Sequence, residues 1–456
     1  MLQIKPFSIF FISIFFIFIA CGPSHDSSID SEGVAFSPLP GSKLSINKTF
    51  QKEQYLSDLF QLADSIQKKH PNPFEFSSKQ AFQNQIVDYE TSITDATTIG
   101  DFVRMCHGLI ASVGCGHSNI GIESRIQLPA SRFFPMEAKY IDSKLIVLDP
   151  LSNVNIPVGT EILAINGKEI TDLKNDIQKI ISADGYNQSF LDHYTSKYFN
   201  YHSALQLGFP NEYKVLVHID NSTKEITLIP TDTSKSKKTP ISTCQSNLCF
   251  EIDSLNNLGI ITIKSFVYYN ENLPEFKAFI DDCFLKVKQN NLSNLVIDLR
   301  DNGGGDPYCG SYLLQHISDK PFQYYKTDEQ NSYKDLQSTL PFNENRFKGQ
   351  PYILVNGACF STTGHVSSLI RYLGAGHFVG QETGATFSCN AHSIQFELAN
   401  TGLPIYLATQ VYQTAVTGFS KDKGISPDYP IHYSLSDHLA GKDLELEKVM
   451  ELINKE

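Results

Sequence analysis

The segment Tyr352–Gly384, YILVNGACFSTTGHVSSLIRYLGAGHFVGQETG, constrains this chain more than any other. It opens with a short apolar run, Tyr352–Val355, that reads as a buried strand and breaks at Asn356-Gly357. Ser361 then starts an apolar-periodic helix over Ser361–Leu373, and a second strand follows at His377–Gly380. Upstream, NLVIDLRDNGGG is another buried-type strand, ended by Asn302-Gly303-Gly304-Gly305. Leu258–Ile263 reads as a further strand, Leu273–Gln289 as a helix, and Pro404–Leu407 as one more strand of the same unit. Strands alternating with helices specify βαβ architecture. A hydroxyl at a helix start, beside glycines at a neighbouring strand tip, places a nucleophile near backbone amides that a larger residue would screen.

Two other regions precede this unit. Lys52–His70 carries Leu56, Leu59, Phe60, Leu62, Ala63 and Ile66 on one side and reads as an amphipathic helix. Phe82–Tyr89 and Ile99–Ser112 read as two more, with Pro71 and Pro73 separating the first from the second. From Phe133 to about Thr231 the pattern is mostly strand: Leu145–Leu148, Glu161–Gly167 and Tyr213–Ile219, with a hairpin-type turn at Ile165–Lys168. Phe190–Phe209 is aromatic and partly helical, and Thr231–Pro240 reads as a linker or exposed loop.

The N-terminus has a separate role. Lys5 precedes the apolar run Phe7–Ala20, which ends Phe18-Ile19-Ala20-Cys21-Gly22. That is the form of a signal peptide, too short for a membrane span. Ala20-Cys21 resembles the lipobox of bacterial lipoproteins, which makes Cys21 the expected lipidation site. The polar stretch after it holds too little apolar surface to pack and reads as a tether. With no Asp directly after Cys21-Gly22, the expected location is the cell envelope, at the outer membrane facing the periplasm. The formal net charge of −12 and the absence of a basic stripe exclude nucleic acid as a partner. An exported chain can form disulfides, and Cys244 and Cys249 stand close enough to pair locally. No CxxC occurs, so the cysteines do not describe a zinc site.

Several segments, taken in order, resemble the S41 family of serine peptidases, the C-terminal (tail-specific) processing and tricorn-core-like proteases. They are LIASVGCGHSNIGI (Leu109–Ile122), VGTEILAINGKEI (Val158–Ile170), VIDLRDNGGG, ILVNGACFSTTG with VGQETGAT, and GISPDYPIHY (Gly424–Tyr433). With GKDLELEKVMELI near the C-terminus, the resemblance covers most of the chain after about residue 50. It implies an α+β multidomain protein. A signal peptide over 1–20 and a lipidated tether over 21–45 lead into a helical N-terminal subdomain over 46–124. A PDZ-like β-rich domain over 125–235 follows, VGTEILAINGKEITDL resembling the heart of that module. The α/β catalytic core, βαβ and ClpP/crotonase-like, spans 241–456.

The resemblance makes Ser361 the nucleophile, where the plain reading of a serine at a helix start is an N-cap. One branch of the family activates its serine with a lysine, but the matching stretch, Gly380–Thr386, contains none. The tricorn-like branch takes a histidine from a GHS or GHT motif ahead of the PDZ. Gly116-His117-Ser118 fits, so His117 is the expected general base. An ordinary imidazole in that role gives an activity limb at roughly pH 6 to 7.5. The family usually carries an acid before this glycine; Cys115 stands there. A third group orients the histidine in that branch. Asp428 of Ser426-Pro427-Asp428 is the nearest acid, with Ser426 the other occupant of the aligned position and a turn-forming Asp the structural alternative. The N–H groups of Gly304 and Thr362 are the expected oxyanion hole, set against a plain glycine turn. His365, a helical turn past Ser361, reads as packing, and Asp298 and Arg300 as structural ion-pair partners.

The implied protein is an exported, lipid-anchored serine endopeptidase with a peptide or protein substrate and no metal or organic cofactor. A non-catalytic member of the same fold that binds peptides or hydrophobic ligands is the alternative from another class; 31 Phe and 21 Tyr suit it. A hydrolase built on Cys359, Cys389 and nearby histidines is a second.

Overall fold

The computed structural model describes residues 43–150, 156–231, 244–328 and 331–455. The expected signal peptide, Cys21 and nearly all of the tether lie outside the described residues.

Three helices form the N-terminal unit: α1 (Lys52–Lys69), α2 (Lys79–Ser92) and α3 (Ile99–Ala111). Along α1, Tyr55, Leu59, Leu62 and Ile66 recur every three or four residues and are fully buried. Ser78 caps α2 through the Ala81 N–H, and Thr98 and Asp101 form a reciprocal capping box on α3. The core of this unit is not closed by 46–124 alone. Ala204, Leu205 and Phe209 enter it from the middle of the chain, and Leu398, Leu403, Ile405, Leu407 and Ala408 from near the end. Buried Asp58 fixes that late segment, accepting from the N–H of Asn400 (2.9 Å) and from the N–H and Oγ1 of Thr401 (2.8 and 2.6 Å). After α3 the chain forms the short strand β1 (Asn119–Ile120).

The middle region is an antiparallel sheet with strand order β2 (Glu137–Ile141), β3 (Lys144–Asp149), β4 (Glu161–Ile165), β5 (Tyr213–Ile219), β6 (Ser222–Leu228). Three helices join β4 to β5: α4 (Ile170–Gln178), α5 (Gln188–Lys197) and α6 (Phe199–Gln206). The aromatic stretch Phe190–Phe209, expected to be partly helical, carries most of α5 and all of α6.

The third unit is built on a six-stranded sheet in the order β7 (Leu248–Asp253), β8 (Leu258–Ile263), β9 (Asn294–Asp298), β10 (Tyr352–Val355), β11 (His377–Gly380), then the short strand Tyr429–Pro430. Only β7 runs antiparallel. Its crossover helices are α7 (Leu273–Gln289), α8 (Pro307–Gln315) and α9 (Thr362–Leu373). β9 and β10 are buried along nearly their whole length, as strands covered on both faces must be. A Cys244–Cys249 disulfide closes the entry to β7.

Pro404–Leu407 does not join this sheet. It belongs to β13 (Pro404–Gln413), which pairs with β12 (Ser388–Glu397) and with β1 in a separate three-stranded sheet. An alternating pattern specifies a strand but not its neighbour. Here the long β12–β13 hairpin leaves the third unit and lays its apolar residues into the helical one.

Candidate active site

β9 and β10 are parallel neighbours, with Val296 opposite Tyr352 and Asp298 opposite Leu354. Their C-terminal tips therefore emerge side by side. Beyond β10, the Asn356–Phe360 loop is stitched to the tip of β9. Asn356 Oδ1 accepts from Asp301 N–H (3.1 Å), the Cys359 thiol donates to the Leu299 carbonyl (3.0 Å), and Phe360 N–H donates to the Asn302 carbonyl (3.1 Å). Ser361 follows with φ 53° and ψ −123°, a conformation that L-residues seldom adopt. Holding a serine there costs roughly 1–3 kcal/mol. It makes a sharp strand-to-helix turn, and the Ser361 side chain caps nothing on α9.

His117 reaches this serine from the other side. Its Nε2 lies 3.0 Å from Ser361 Oγ, across 244 positions of sequence. The loop that carries it is held by every unit of the protein. Gly116 N–H donates to Asp184 Oδ1 (2.8 Å) from the middle region. Ser393 Oγ on β12 donates to the His117 carbonyl (2.8 Å), and Ser118 Oγ accepts from Ala408 N–H on β13 (3.1 Å). The imidazole ring packs on Phe360, with centroids 4.8 Å apart and planes 30° from parallel. Phe360 itself meets Phe190 in a tilted contact (5.0 Å), and Phe190 stacks on Tyr194 of α5 (4.3 Å).

Apolar surroundings push the His117 pKa down to about 4, so the ring is neutral at pH 7. Its Nδ1 is buried without a hydrogen-bond partner among the described residues. Burial raises the Asp184 carboxyl to about 7, against the opposing Gly116 N–H bond, with Glu75 adding a smaller upward push. Asp184 Oδ2 also has no partner there.

Asp428, expected as the third group, is elsewhere. Its carboxylate binds Arg371 Nη1 (2.5 Å) and the Phe378 N–H (2.7 Å), fixing the end of α9 to β11. A proline-led turn at the sheet edge puts it there, and Arg371 holds its pKa below the usual range against the partial burial that would raise it. Ser426, the other occupant of that aligned position, gives its carbonyl to Arg371 Nη2 (2.7 Å).

Gly304 lies against Ser361: a Cβ on it would stand 2.7 Å from Ser361 Cβ and from the Phe360 carbonyl. Its φ of +99° also demands glycine. Its N–H, however, turns back to Asn302 Oδ1 (2.9 Å), so the oxyanion donor expected there is engaged within the loop. Thr362, as the first residue of α9, has an amide with no intrahelical acceptor. Its hydroxyl donates to the Gly305 carbonyl (2.5 Å).

His365 is buried behind the site, with Nε2 3.5 Å from Cys389 Sγ and its backbone N–H on the Ser361 carbonyl. Burial, then His117, lower its pKa to about 3. The buried Cys115 thiol is pushed up to about 12 and Cys359 higher still, so neither is a ready nucleophile at neutral pH. Among the described residues no three His, Cys, Asp or Glu side chains stand together as metal ligands. Arg300 binds Asp298 (2.7 Å), as its neighbourhood in sequence predicts, and also Asp443 (2.8 Å) and Glu445 (3.2 Å) near the C-terminus.

Three organising residues escape the sequence reading. Asn302 lies inside the glycine motif; its amide ties Ile263 (3.0 Å), Gly304 and Thr363 (2.9 Å) together. Phe360 precedes the serine but reads as one more apolar residue. Asp184 carries no local signal, because its partner is distant in sequence.

Residues 257–431 match the model described as Peptidase family S41. No curated protein matches the chain. Among solved structures, mature CPAF is similar: 14% identical, covering 89% of this chain and 98% of that one, with a TM-score of 0.61. The structure of mature CPAF complexed with lactacystin gives 14% identity, 89% and 99% coverage, and a TM-score of 0.60. At such identity the likeness is one of fold. The chain carries a serine-type peptidase domain of family S41 within a mixed α+β architecture.

Proposed function

We propose that this protein is an exported, lipid-anchored serine endopeptidase that works through a Ser361–His117 pair, in the manner of the tricorn-like branch. The observation that carries the reading is the 3.0 Å approach of His117 Nε2 to Ser361 Oγ, on a strained turn beside a glycine strand tip. The Ser361 hydroxyl gives its proton to Nε2 as Oγ attacks the substrate carbonyl carbon. The tetrahedral oxyanion forms against the Thr362 N–H, with Gly304 as the wall that lets the carbonyl approach. The imidazolium then protonates the departing amine, and water, deprotonated by the same nitrogen, releases the acyl group. Asp428 takes no part. The middle sheet is the PDZ-like module, and an extended peptide would add to one of its edges.

The test is labelling of the full chain with a fluorophosphonate, alongside turnover of a fluorogenic peptide library. Wild type should react and turn over; Ser361→Ala should do neither while remaining folded. Hydrolysis that survives in Ser361→Ala would remove the serine from the chemistry. The alternative, a non-catalytic binding protein, is favoured by the orphan His117 Nδ1 and the engaged Gly304 amide. It would show as a folded wild type that the probe never labels.

Anchoring rests on Ala20-Cys21 directly after an apolar run. Cys21→Ser should abolish incorporation of a fatty-acid analogue and release the chain from the envelope fraction. Equal incorporation would rule out the lipoprotein form.

A further inference from the structure

Given the Ser361–His117 reading, we infer that Phe360 takes the place of the missing acid: its ring face both orients the His117 imidazole and stabilises the imidazolium formed during the reaction. Phe360 is a positioning residue, acting on the reacting atoms only through His117.

A neutral imidazole that accepts the Ser361 proton at Nε2 must carry its own proton on Nδ1. Nδ1 is buried and meets no acceptor among the described residues. The nearest expected carboxylate, Asp428, is bound to Arg371 and Phe378. Asp184 reaches the same loop, but through the Gly116 N–H. Among the described residues, therefore, no charged hydrogen-bond partner fixes the ring or offsets its charge.

Phe360 is placed to do both. Its centroid is 4.8 Å from that of His117, within cation–π range, and the 30° tilt presents ring face to ring face. Phe360 is 1% exposed and cannot swing away. Phe190 backs it at 5.0 Å and Tyr194 backs Phe190. The glycine before the base belongs to the same device. A Cβ on Gly116 would stand 2.5 Å from Phe360 Cζ, so only glycine lets the ring slide under the histidine loop. Because Phe360 directly precedes the nucleophile, one backbone turn sets both the serine and the support of its base. His365 is the titratable neighbour whose pKa responds to His117, and it is neutral across the working range.

The experiment replaces Phe360 in the full-length protein with Leu, which keeps much of the volume and removes the π face. In parallel, 3,5-difluorophenylalanine is incorporated, which keeps shape and weakens the face electrostatically. The first readout is the NMR titration of His117, carried out in Ser361→Ala so that it needs no activity. Both changes should lower the His117 pKa, by about half a unit to one unit for Leu and less for the fluorinated ring. The second readout is kinetic: kcat should fall by roughly 10- to 100-fold in Phe360→Leu with KM nearly unchanged, because the loss falls on a charge formed after binding. If Phe360→Leu does not fold, the fluorinated protein carries the test alone. An unchanged His117 titration in a folded variant overturns the inference, whether or not the wild type hydrolyses peptides. A wild type without turnover, but with the expected titration shift, would leave Phe360 as the support of His117 and overturn only the peptidase reading.

Discussion

At the scale of single residues the site is a matter of where charge is allowed. On the proposed mechanism neutral His117 is the form that accepts a proton, so activity should rise with pH as the ring deprotonates. An ordinary imidazole would place that limb at roughly pH 6 to 7.5. Burial lowers the folded pKa to about 4, so the limb should move below pH 6, toward 4. The pH dependence of kcat/KM on a fluorogenic peptide, with folding checked at each point, measures this. A limb centred at 6.5 would mean that solvent reaches the ring in the working enzyme. The same depressed pKa makes His117 a weaker base, which raises the demand on whatever stabilises its charged form.

At the scale of elements, the strand tips do the positioning. Parallel pairing of β9 with β10 brings Asn302–Gly305 alongside Asn356–Ser361, and hydrogen bonds from both loops lock the turn. Helix α9 is held at its far end by Arg371 and Asp428, well away from Ser361 at its start. Asp428→Asn should therefore leave kcat within about twofold and cost roughly 1 kcal/mol, since the pair is about a third exposed and mostly screened. Thermal melts and initial rates on the purified variant check both. A folded Asp428→Asn that lost two orders of magnitude in kcat would return this carboxylate to the mechanism.

At the scale of the molecule, the site exists only when distant parts of the chain dock. Phe360 and Ala385 of the catalytic unit sit in the core of the middle region, and Ile405 and Leu407 sit in the helical one. His193 and Lys197 of α5 reach Asp301 beside the glycine tip, at 3.2 and 3.0 Å. Asp184 is the most telling of these contacts, because its folded pKa is raised to about 7 by burial. A carboxyl raised in this way contributes stability that is full below its unfolded pKa, near 4, and is lost as pH rises through 7. Asp184→Asn keeps an acceptor for Gly116 and removes the buried charge. Relative to wild type it should gain stability between pH 4 and 7, by a few kcal/mol at most at pH 8. Denaturant melts of both proteins at pH 5 and pH 8 decide it; a constant difference would mean that Asp184 is solvated.

Local pattern was enough for much of this. Tyr352–Val355, His377–Gly380 and Leu273–Gln289 have in the structure the bounds their apolar spacing predicts, because burial on one or both faces writes a period into the chain. The serine at a helix start and the glycine tip were legible for a related reason: sharp turns and close backbone approach admit few residue types. Cys244 and Cys249, five positions apart, are close enough in sequence for local pairing to be expected. The approach of His117 to Ser361 was expected only through the family resemblance, and most other relations between remote segments were left open. The acid of Ser426-Pro427-Asp428 went to Arg371, the Gly304 amide to Asn302, Pro404–Leu407 to a different sheet, and Phe360 to the histidine ring. A side chain's type limits what it can bind, but its partner is chosen by packing, and packing is settled only when the whole core closes.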